Sequence, residues 1–255
     1  MIKQEKMAIV SQTEIAKNIF ELTVAGSLVQ EMNEPGQFVH VRVADSFEPL
    51  LRRPISVAKI DKEASSFTMI YRSEGRGTSL LSQKTERDTL DVLGPLGHGF
   101  PVDEAGKKAY LIGGGIGVPP LYELALQLNA RGVETVHILG FESSEAVFYE
   151  DKFRALGDTH IATVDGSHGT EGFVTHILNA LPNDFDTYYS CGPTPMLEAV
   201  QWAYPQKKGF LSYEQRMGCG IGACFACVCR TTRSETDYIK VCSDGPVFSA
   251  GVVIS

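Results

Sequence analysis

The sequence at residues 109–120 is Ala-Tyr-Leu-Ile-Gly-Gly-Gly-Ile-Gly-Val-Pro-Pro. A short apolar run that ends in clustered glycines predicts a strand that turns sharply, and the helical spacing of apolar residues over 121–130 predicts a helix after it. Glycines let the backbone approach a pyrophosphate, and the N–H groups at a helix start attract it. The loop therefore predicts nucleotide binding through Gly113, Gly115 and Gly117, although a plain strand-to-helix turn has a similar composition.

Segments with strand character lie on both sides of this loop. Those after it are at 135–139, 162–164 and 187–190. Because they alternate with segments long enough for helices, residues 104–210 are expected to form a nucleotide-binding α/β domain with a parallel sheet. Residues 1–103 contain short alternating segments and glycine–proline turns, which predict an antiparallel β-barrel. Residues 211–255 are rich in glycine and cysteine and are expected to form a small appended segment.

The composition is that of an ordinary globular protein. The chain has 255 residues, 43% of them hydrophobic and 21% charged, with a formal net charge of −8. A chain this acidic lacks the positive charge that binds a nucleic-acid backbone, so no nucleic acid is expected as a partner. The most apolar stretch, 109–128, is interrupted by glycines and prolines, and the charged start has no signal-like core. We therefore expect no membrane span, and we expect the protein to be cytoplasmic.

The cysteines have the spacing of a metal site. The six are Cys191, Cys219, Cys224, Cys227, Cys229 and Cys242. Cys219-x4-Cys224-x2-Cys227 followed by Cys242 is the ligand spacing of plant-type [2Fe–2S] clusters, in which a tight loop supplies three thiolates and a returning segment the fourth. A disulfide framework would need cysteines spread through a small secreted chain. The predicted metal ligands are therefore Cys219, Cys224, Cys227 and Cys242.

Two other kinds of metal site fit these residues less well. Structural zinc favours two CxxC or CxxH pairs, and only Cys224 and Cys227 form one. A Rieske cluster needs two histidines in the ligand loops. Cys229 is expected to be a packed thiol. The remaining histidines have no ligand-like spacing and are expected to be surface or satisfied core residues: His40, His98, His137, His160, His168 and His176.

Several motifs in order along the chain resemble the ferredoxin–NADP reductase superfamily. Pro35–Phe38 is similar to a barrel strand of that family, and Arg53–Ser56 to its R-x-x-S flavin motif. Gly75–Thr78 resembles its FAD pyrophosphate loop, Gly113–Pro120 its nucleotide loop, and Cys191–Met196 its C-G-P segment near the nicotinamide.

The resemblance implies roles for individual residues. Arg53 is expected to pair with an FAD phosphate, Ser56 to hydrogen-bond near the isoalloxazine, and Cys191 to lie near the nicotinamide, although a small buried residue at a strand end is an equal alternative for Cys191. Ile116 replaces the threonine common in the superfamily, which weakens the transfer of nucleotide contacts there. The implied cofactor-binding residues are Arg53, Pro54, Ile55, Ser56, Ile70, Tyr71, Arg72, Gly77, Thr78, Gly113, Gly115, Gly117 and Cys191.

Within the superfamily, nearly the whole chain resembles the electron-transfer subunits of class-B, NAD-dependent dihydroorotate dehydrogenases. The segments that carry this resemblance are 52–56, 113–121, 189–197 and 214–229. It implies FAD, a [2Fe–2S] cluster and NAD as cofactors, and an FMN-containing partner subunit that oxidises dihydroorotate in pyrimidine biosynthesis. A heterotetramer of two plus two chains is the assembly it implies. Residues for general acid or base catalysis are not expected in this chain.

Alternative functions share many of these motifs. An NAD(P)H:ferredoxin-type reductase or a stand-alone flavin reductase would use the same flavin and nucleotide residues, and a zinc-bearing nucleotide-binding sensor would use the same thiols. NAD is favoured over NADP because Gly140–Glu145, after the second predicted strand, is acidic, and a carboxylate suits a free ribose hydroxyl.

Overall fold

The first part of the chain is a closed antiparallel barrel. A computed structural model describes residues 1–44, 48–234 and 236–254. The barrel strands are β1 (Lys3–Ala16), β2 (Ile19–Ala25), β3 (Phe38–Arg42), β4 (Arg53–Asp61), β5 (Ser66–Arg72) and β6 (Thr89–Leu96), in the order β1-β2-β5-β4-β3-β6. Alternate side chains such as Leu22 and Val24 point inward and are fully buried, as the two-residue period of a strand requires. The predicted barrel is confirmed.

A seven-stranded sheet follows the barrel. Its strands are β7 (Lys108–Gly114), β8 (Glu134–Phe141), β9 (Asp158–Thr163), β10 (Thr170–Glu171), β11 (Thr187–Cys191), β12 (Lys208–Ser212) and β15 (Val247–Ser249), in the order β10-β9-β8-β7-β11-β12-β15. All neighbours pair in parallel except β12 and β15. The helices are α1 (Arg76–Leu81), which belongs to the barrel half, and α2 (Val118–Ala130), α3 (Glu150–Arg154), α4 (Val174–Leu178) and α5 (Thr194–Ala203). The predicted α/β arrangement is confirmed.

The C-terminal segment has its own small sheet and also returns to the large one. Strands β13 (Val228–Thr231), β14 (Tyr238–Lys240) and β16 (Val253–Ile254) form a three-stranded antiparallel sheet in the order β14-β13-β16. Between β14 and β16, β15 pairs with the outer edge of β12, with Leu211 opposite Phe248. We call residues 214–254 the cluster arm. The predicted division of the chain at 103/104 and 210/211 stays a prediction.

A buried carboxylate joins the barrel to the parallel sheet. Oε2 of Glu123, on α2, accepts a 2.8 Å hydrogen bond from the backbone N–H of Ile60 on β4, and its Oε1 accepts one of 2.9 Å from Gln127. Burial raises the pKa of the Glu123 carboxyl group. On the far side of α2, Tyr149 and Lys152 both contact the Glu21 carboxylate of β2. These contacts fix the barrel strands relative to the glycine loop that begins α2.

Two further findings concern single elements. Helix α1 begins at Arg76, where the Thr78 hydroxyl accepts a hydrogen bond from the Gly75 N–H and caps the first turn. Within the described ranges, every helix is too short or too polar to cross a membrane.

Candidate cofactor sites

The predicted flavin residues lie around one cleft between the barrel and the cluster arm. The cleft has a volume of about 270 Å³. Of the residues implied by the resemblance, it is lined by Pro54, Ile55, Ser56, Ile70, Tyr71, Arg72 and Thr78. Tyr71 is held by a 2.9 Å hydrogen bond from its hydroxyl to Gln12, and Arg72 by a 2.8 Å ion pair with Glu74. The concave, mixed polar and apolar lining suits a flavin ring.

Arg53 and Gly77 lie outside this lining but touch each other. The backbone of Gly77 packs against the guanidinium group of Arg53, and a methyl group at residue 77 would lie 2.8 Å from its Cζ. The guanidinium donates a 2.6 Å hydrogen bond to the Leu51 carbonyl. A cation is therefore placed directly at the N-terminus of α1, where the helix also offers N–H groups, which is a suitable pair of donors for a phosphate.

One wall of the flavin cleft was not predicted from the sequence. It is formed by residues after β12, together with residues from β3, the glycine loop and the turn before β15: Phe38, Ile116, Ser212, Tyr213, Glu214, Gln215, Met217 and Pro246. Desolvation in the cleft raises the pKa of the Glu214 carboxyl group. Residues 212–217 lead directly into the first predicted iron ligand, so the flavin cleft and the cluster arm share a wall.

The glycine loop lies at the carboxyl edge of the parallel sheet. The chain runs from β7 to β8 on one side, whereas β11 pairs with β7 on the other, so the loop marks the switch point where open α/β sheets bind ligands. A cleft of about 570 Å³ opens there, lined in part by Gly115, Glu142, Phe173 and Met196. Arg72 lines both this cleft and the flavin cleft. The predicted nucleotide loop and the predicted flavin site are therefore adjacent.

The glycine loop packs closely against the end of β11 through Gly113, Gly117 and Cys191. Gly113 is the register partner of Cys191 across β7 and β11. A methyl group at Gly117 would overlap the Cys191 carbonyl and lie 2.6 Å from Cα of Gly192. The Cys191 thiol is buried, and burial raises its pKa well above the ordinary range, which leaves it unreactive. Its predicted contact with the nicotinamide stays a prediction.

Replacing Gly117 by alanine is expected to weaken NADH binding and lower the melting temperature. The added methyl group meets backbone, which has no rotamer to escape into, so the loop and the end of β11 must separate. Overpacking of this kind costs about 1–3 kcal/mol. Thermal unfolding and NADH titration measure both effects, and the FAD content serves as an internal control. An alanine variant with wild-type affinity and melting temperature would contradict this account of the loop.

The four predicted iron ligands form two pairs of thiols. Cys224 follows the loop back to Cys219, with its backbone N–H 3.3 Å from Cys219 Sγ, and the thiols of Cys227 and Cys242 lie beside each other. In the described ranges no three or more His, Cys, Asp or Glu side chains converge closely enough to hold a single metal ion. A [2Fe–2S] cluster with four cysteines needs two thiolates on each of two irons, which the pairs match.

Backbone N–H groups point at two of the thiols. The N–H groups of Ile221 and Cys224 lie 3.5 and 3.3 Å from Cys219 Sγ, and that of Gly222 lies 3.2 Å from Cys242 Sγ. Burial opposes ionisation of Cys219, but these N–H groups outweigh it and lower its pKa to about 7. Burial raises the pKa of Cys242 to about 12. An N–H-lined loop with a readily ionised thiol fits a cluster whose sulfurs accept hydrogen bonds.

The last cysteine of the arm is a packed thiol. Cys229 is buried on β13 opposite Ile239, and its thiol contacts Gln215.

The expectation that the histidines are surface or satisfied residues was wrong for two of them. Neither ring nitrogen of buried His40 has a hydrogen-bond partner in the described residues, nor does Nε2 of buried His137.

A closed flavin barrel, a parallel nucleotide sheet and paired thiols in one chain define the class of flavin-dependent iron–sulfur oxidoreductases. Residues 214–254 match the model of the iron–sulfur cluster binding domain of dihydroorotate dehydrogenase B. The chain is 63% identical over 99% of both sequences to the electron transfer subunit of dihydroorotate dehydrogenase B (NAD(+)) from Lysinibacillus sphaericus, and 58% identical over 100% of both to that from Bacillus cereus strain G9842. This chain belongs to the family of dihydroorotate dehydrogenase B electron transfer subunits.

Solved structures support the same fold. An NADH-dependent reduced ferredoxin–NADP oxidoreductase aligns with a TM-score of 0.87 and 29% identity, over 98% of this chain and 90% of the other. A ferredoxin–NADP+ reductase from Neisseria gonorrhoeae, solved with FAD and NADP, aligns with a TM-score of 0.69 over 84% of this chain and 95% of the other. At 16% identity, that second likeness concerns the fold alone.

Proposed function

We propose that this chain passes electrons from the FMN of a dihydroorotate-oxidising partner subunit, through a [2Fe–2S] cluster and FAD, to NAD+ in pyrimidine biosynthesis. The observation that carries the proposal is that the segment lining the flavin cleft, residues 212–217, runs directly into Cys219, the first of the four cysteines of the arm. A flavin exchanges hydride with a nicotinamide and single electrons with a cluster, so its site would lie between the other two. Clustered metal-ligand cysteines favour the cytoplasm as the compartment.

The residues of the chain would hold and orient these groups. Arg53 and the N-terminus of α1, including Gly77 and Thr78, would bind the FAD phosphates. The flavin ring would lie against Ser56, Tyr71 and the neighbouring residues of β4 and β5, which shield it from water.

The nucleotide is proposed to bind in the cleft at the glycine loop. Gly115 and the start of α2 would receive its pyrophosphate. Glu142, at the end of β8, lines this cleft, and its carboxylate suits a ribose hydroxyl while repelling a 2′-phosphate. This charge supports NAD as the nucleotide.

The partner subunit is proposed to dock on the cluster arm. Several large apolar side chains of the arm are exposed: Ile221, Phe225, Val228, Tyr238 and Ile254. Phe225 is 60% exposed and follows the ligand Cys224 directly. Phe225 and Tyr238 pack edge to face at this surface. Exposed apolar surface often marks a protein–protein contact, and a cluster that receives electrons from another protein must lie close to the surface it contacts. We propose an FMN-containing dihydroorotate dehydrogenase subunit there, in a heterotetramer of two plus two chains.

Replacing Phe225 by aspartate is expected to weaken the complex with the partner by at least about 10-fold, because the substitution puts a charge at the centre of an apolar contact. A bulky charged residue at Ala223 should act in the same direction. Trp202→Asp is the matched control, since Trp202 is 77% exposed but lies on α5, outside the arm. Co-purification and titration by light scattering measure the affinity. Equal binding by the Phe225 and Trp202 variants would place the docking surface elsewhere.

The proposal is tested by anaerobic purification with and without the co-expressed partner, followed by iron, sulfide, zinc and flavin analysis. Two irons, two sulfides and one FAD per chain, with FMN present only when the partner co-purifies, are expected. Zinc in place of iron would favour a nucleotide-binding sensor. Iron and FAD without a stable complex would favour an NAD(P)H:ferredoxin-type or stand-alone flavin reductase. The full-length relatives named above favour the dihydroorotate system over both.

A further inference from the structure

A buried histidine of the flavin barrel lies against the loop that carries the first iron ligand. His40 is on β3 and is 0% exposed, and neither ring nitrogen has a hydrogen-bond partner among the described residues. Leaving a buried polar group unpaired costs free energy, so an orphaned imidazole at a cofactor site calls for an explanation. The backbone carbonyls of Cys219 and Arg52 face its ring, although neither completes a hydrogen bond.

The fit between the ring and the loop depends on glycine. A methyl group at Gly220 would lie 2.6 Å from Nδ1 of His40 and 3.3 Å from its Cγ and Cε1. Gly220 has a φ of 73°, a conformation that glycine adopts readily. Because Gly220 has no side chain, the imidazole of His40 can approach the backbone after Cys219, and Nδ1 is the ring nitrogen nearest to Gly220.

His40 itself is held rigidly by the barrel. Arg52 Nη1 donates hydrogen bonds of 3.2 Å to the His40 carbonyl and 3.0 Å to the Asp91 carbonyl, while its Nη2 pairs with the Asp91 carboxylate at 2.9 Å. His40 is also the register partner of Pro54, which lines the flavin cleft. The ring therefore belongs to a hydrogen-bonded part of the barrel against which the loop can be positioned.

The loop that His40 faces also sets the hydrogen bonds to Cys219. The N–H groups of Ile221 and Cys224 point at Cys219 Sγ only while the backbone of residues 219–224 keeps its present course. Hydrogen bonds to cluster sulfurs stabilise the more negative, reduced state and raise the reduction potential. Anything that holds this backbone in place thus influences the potential.

We propose that His40 is a positioning residue for the [2Fe–2S] site: when the cluster is bound, its ring N–H is donated to the backbone at Cys219, and this contact keeps the N–H groups of the loop directed at the cluster sulfurs. The inference rests on the proposed function in one respect, that the loop holds the cluster. It assigns to a barrel residue, far from the cysteines in sequence, a part in setting the potential of the centre.

The test compares three variants of the full chain purified anaerobically. His40→Leu removes the N–H donor, and His40→Asn keeps an amide donor at the position of Nδ1. His137→Leu is the matched control, a second buried histidine with an unpartnered nitrogen, on β8 between β7 and β9 of the large sheet. Iron and sulfide content, the electron paramagnetic resonance spectrum of the reduced cluster, and the midpoint potentials of cluster and flavin are measured. FAD content reports whether each barrel has folded.

His40→Leu is expected to lower the cluster midpoint potential and shift its resonance spectrum, or to lose the cluster, with FAD content unchanged. His40→Asn is expected to return both quantities toward the wild type, and His137→Leu to leave them unchanged. A leucine variant with wild-type potential and spectrum would overturn the inference, and so would an asparagine variant identical to the leucine one. A wild-type chain without iron would instead overturn the proposed function, and the inference with it.

Discussion

A Cys242→Ala protein is expected to lose its iron and nearly all transfer of electrons from dihydroorotate to NAD+, while keeping FAD and NADH-driven dye reduction. Cys242 follows β14, a separate element from the loop that carries the other three cysteines, and its thiol is paired with Cys227. Without it one iron would have a single thiolate. Changes in the outer shell of a metal site alone cost about 10–100-fold in affinity or activity, so the loss of a ligand should exceed about 100-fold.

Cys229→Ala is the matched control for this experiment. Cys229 is buried in the same core as Cys227 and Cys242, so its truncation removes a similar thiol from a similar environment. It should cost comparable stability but retain two irons per chain. Iron analysis and the visible spectrum distinguish the variants. Full iron in Cys242→Ala would remove that residue from the ligand set, and loss of iron from Cys229→Ala would add Cys229 to it.

The second large effect is expected from Gly77→Ala, which should weaken FAD binding about 10- to 100-fold. The new methyl group would overlap the Arg53 guanidinium, which is the far end of a flexible side chain and can move away without disturbing the fold. Displacing it removes a charge-assisted hydrogen bond to phosphate, a contribution of about 1.5–3 kcal/mol. Alanine also favours a helix over glycine, so the stability of the flavin-free protein should not fall.

Gly75→Ala provides the comparison in the same loop. A methyl group at Gly75 would meet no atom within 4 Å, and Gly75 is not in the left-handed region. FAD affinity, measured by fluorescence quenching on the deflavinated proteins, should be near that of the wild type. If both alanine variants bind FAD as tightly as the wild type, the contact between Gly77 and Arg53 has no part in phosphate binding.

Local signals in the sequence predicted the parts of the site that depend on local chemistry. The strand, glycine loop and helix around Gly113 follow from composition and spacing, because a sharp turn into a helix needs those residue types in that order. The four-cysteine spacing likewise predicted an iron–sulfur segment near the C-terminus, whereas its assignment of the four ligands stays a prediction. It did not predict that they form two pairs, since pairing depends on how the end of β14 returns to the loop.

The features that were missed depend on contacts between distant segments. The wall of the flavin cleft around Glu214 and Pro246 belongs to a segment more than 130 residues from the Ser56 motif in the sequence, and nothing in its local composition indicates a flavin. His40 occupies an alternating strand in which any buried residue would suit the pattern. Only its approach to Gly220 distinguishes it from an ordinary core residue.

Because β15 returns to the edge of β12, the cluster arm cannot be removed without disturbing the large sheet. Backbone pairing from Phe210 to Ser212 with Val247 to Ser249, and the 2.9 Å hydrogen bond from Tyr213 N–H to the Pro246 carbonyl, cover the outer edge of β12. A shortened protein that ends at residue 213 would present this edge unpaired, and open edges invite self-association. Grafting the iron–sulfur centre onto another reductase would therefore require transfer of the β12 edge together with the cysteines.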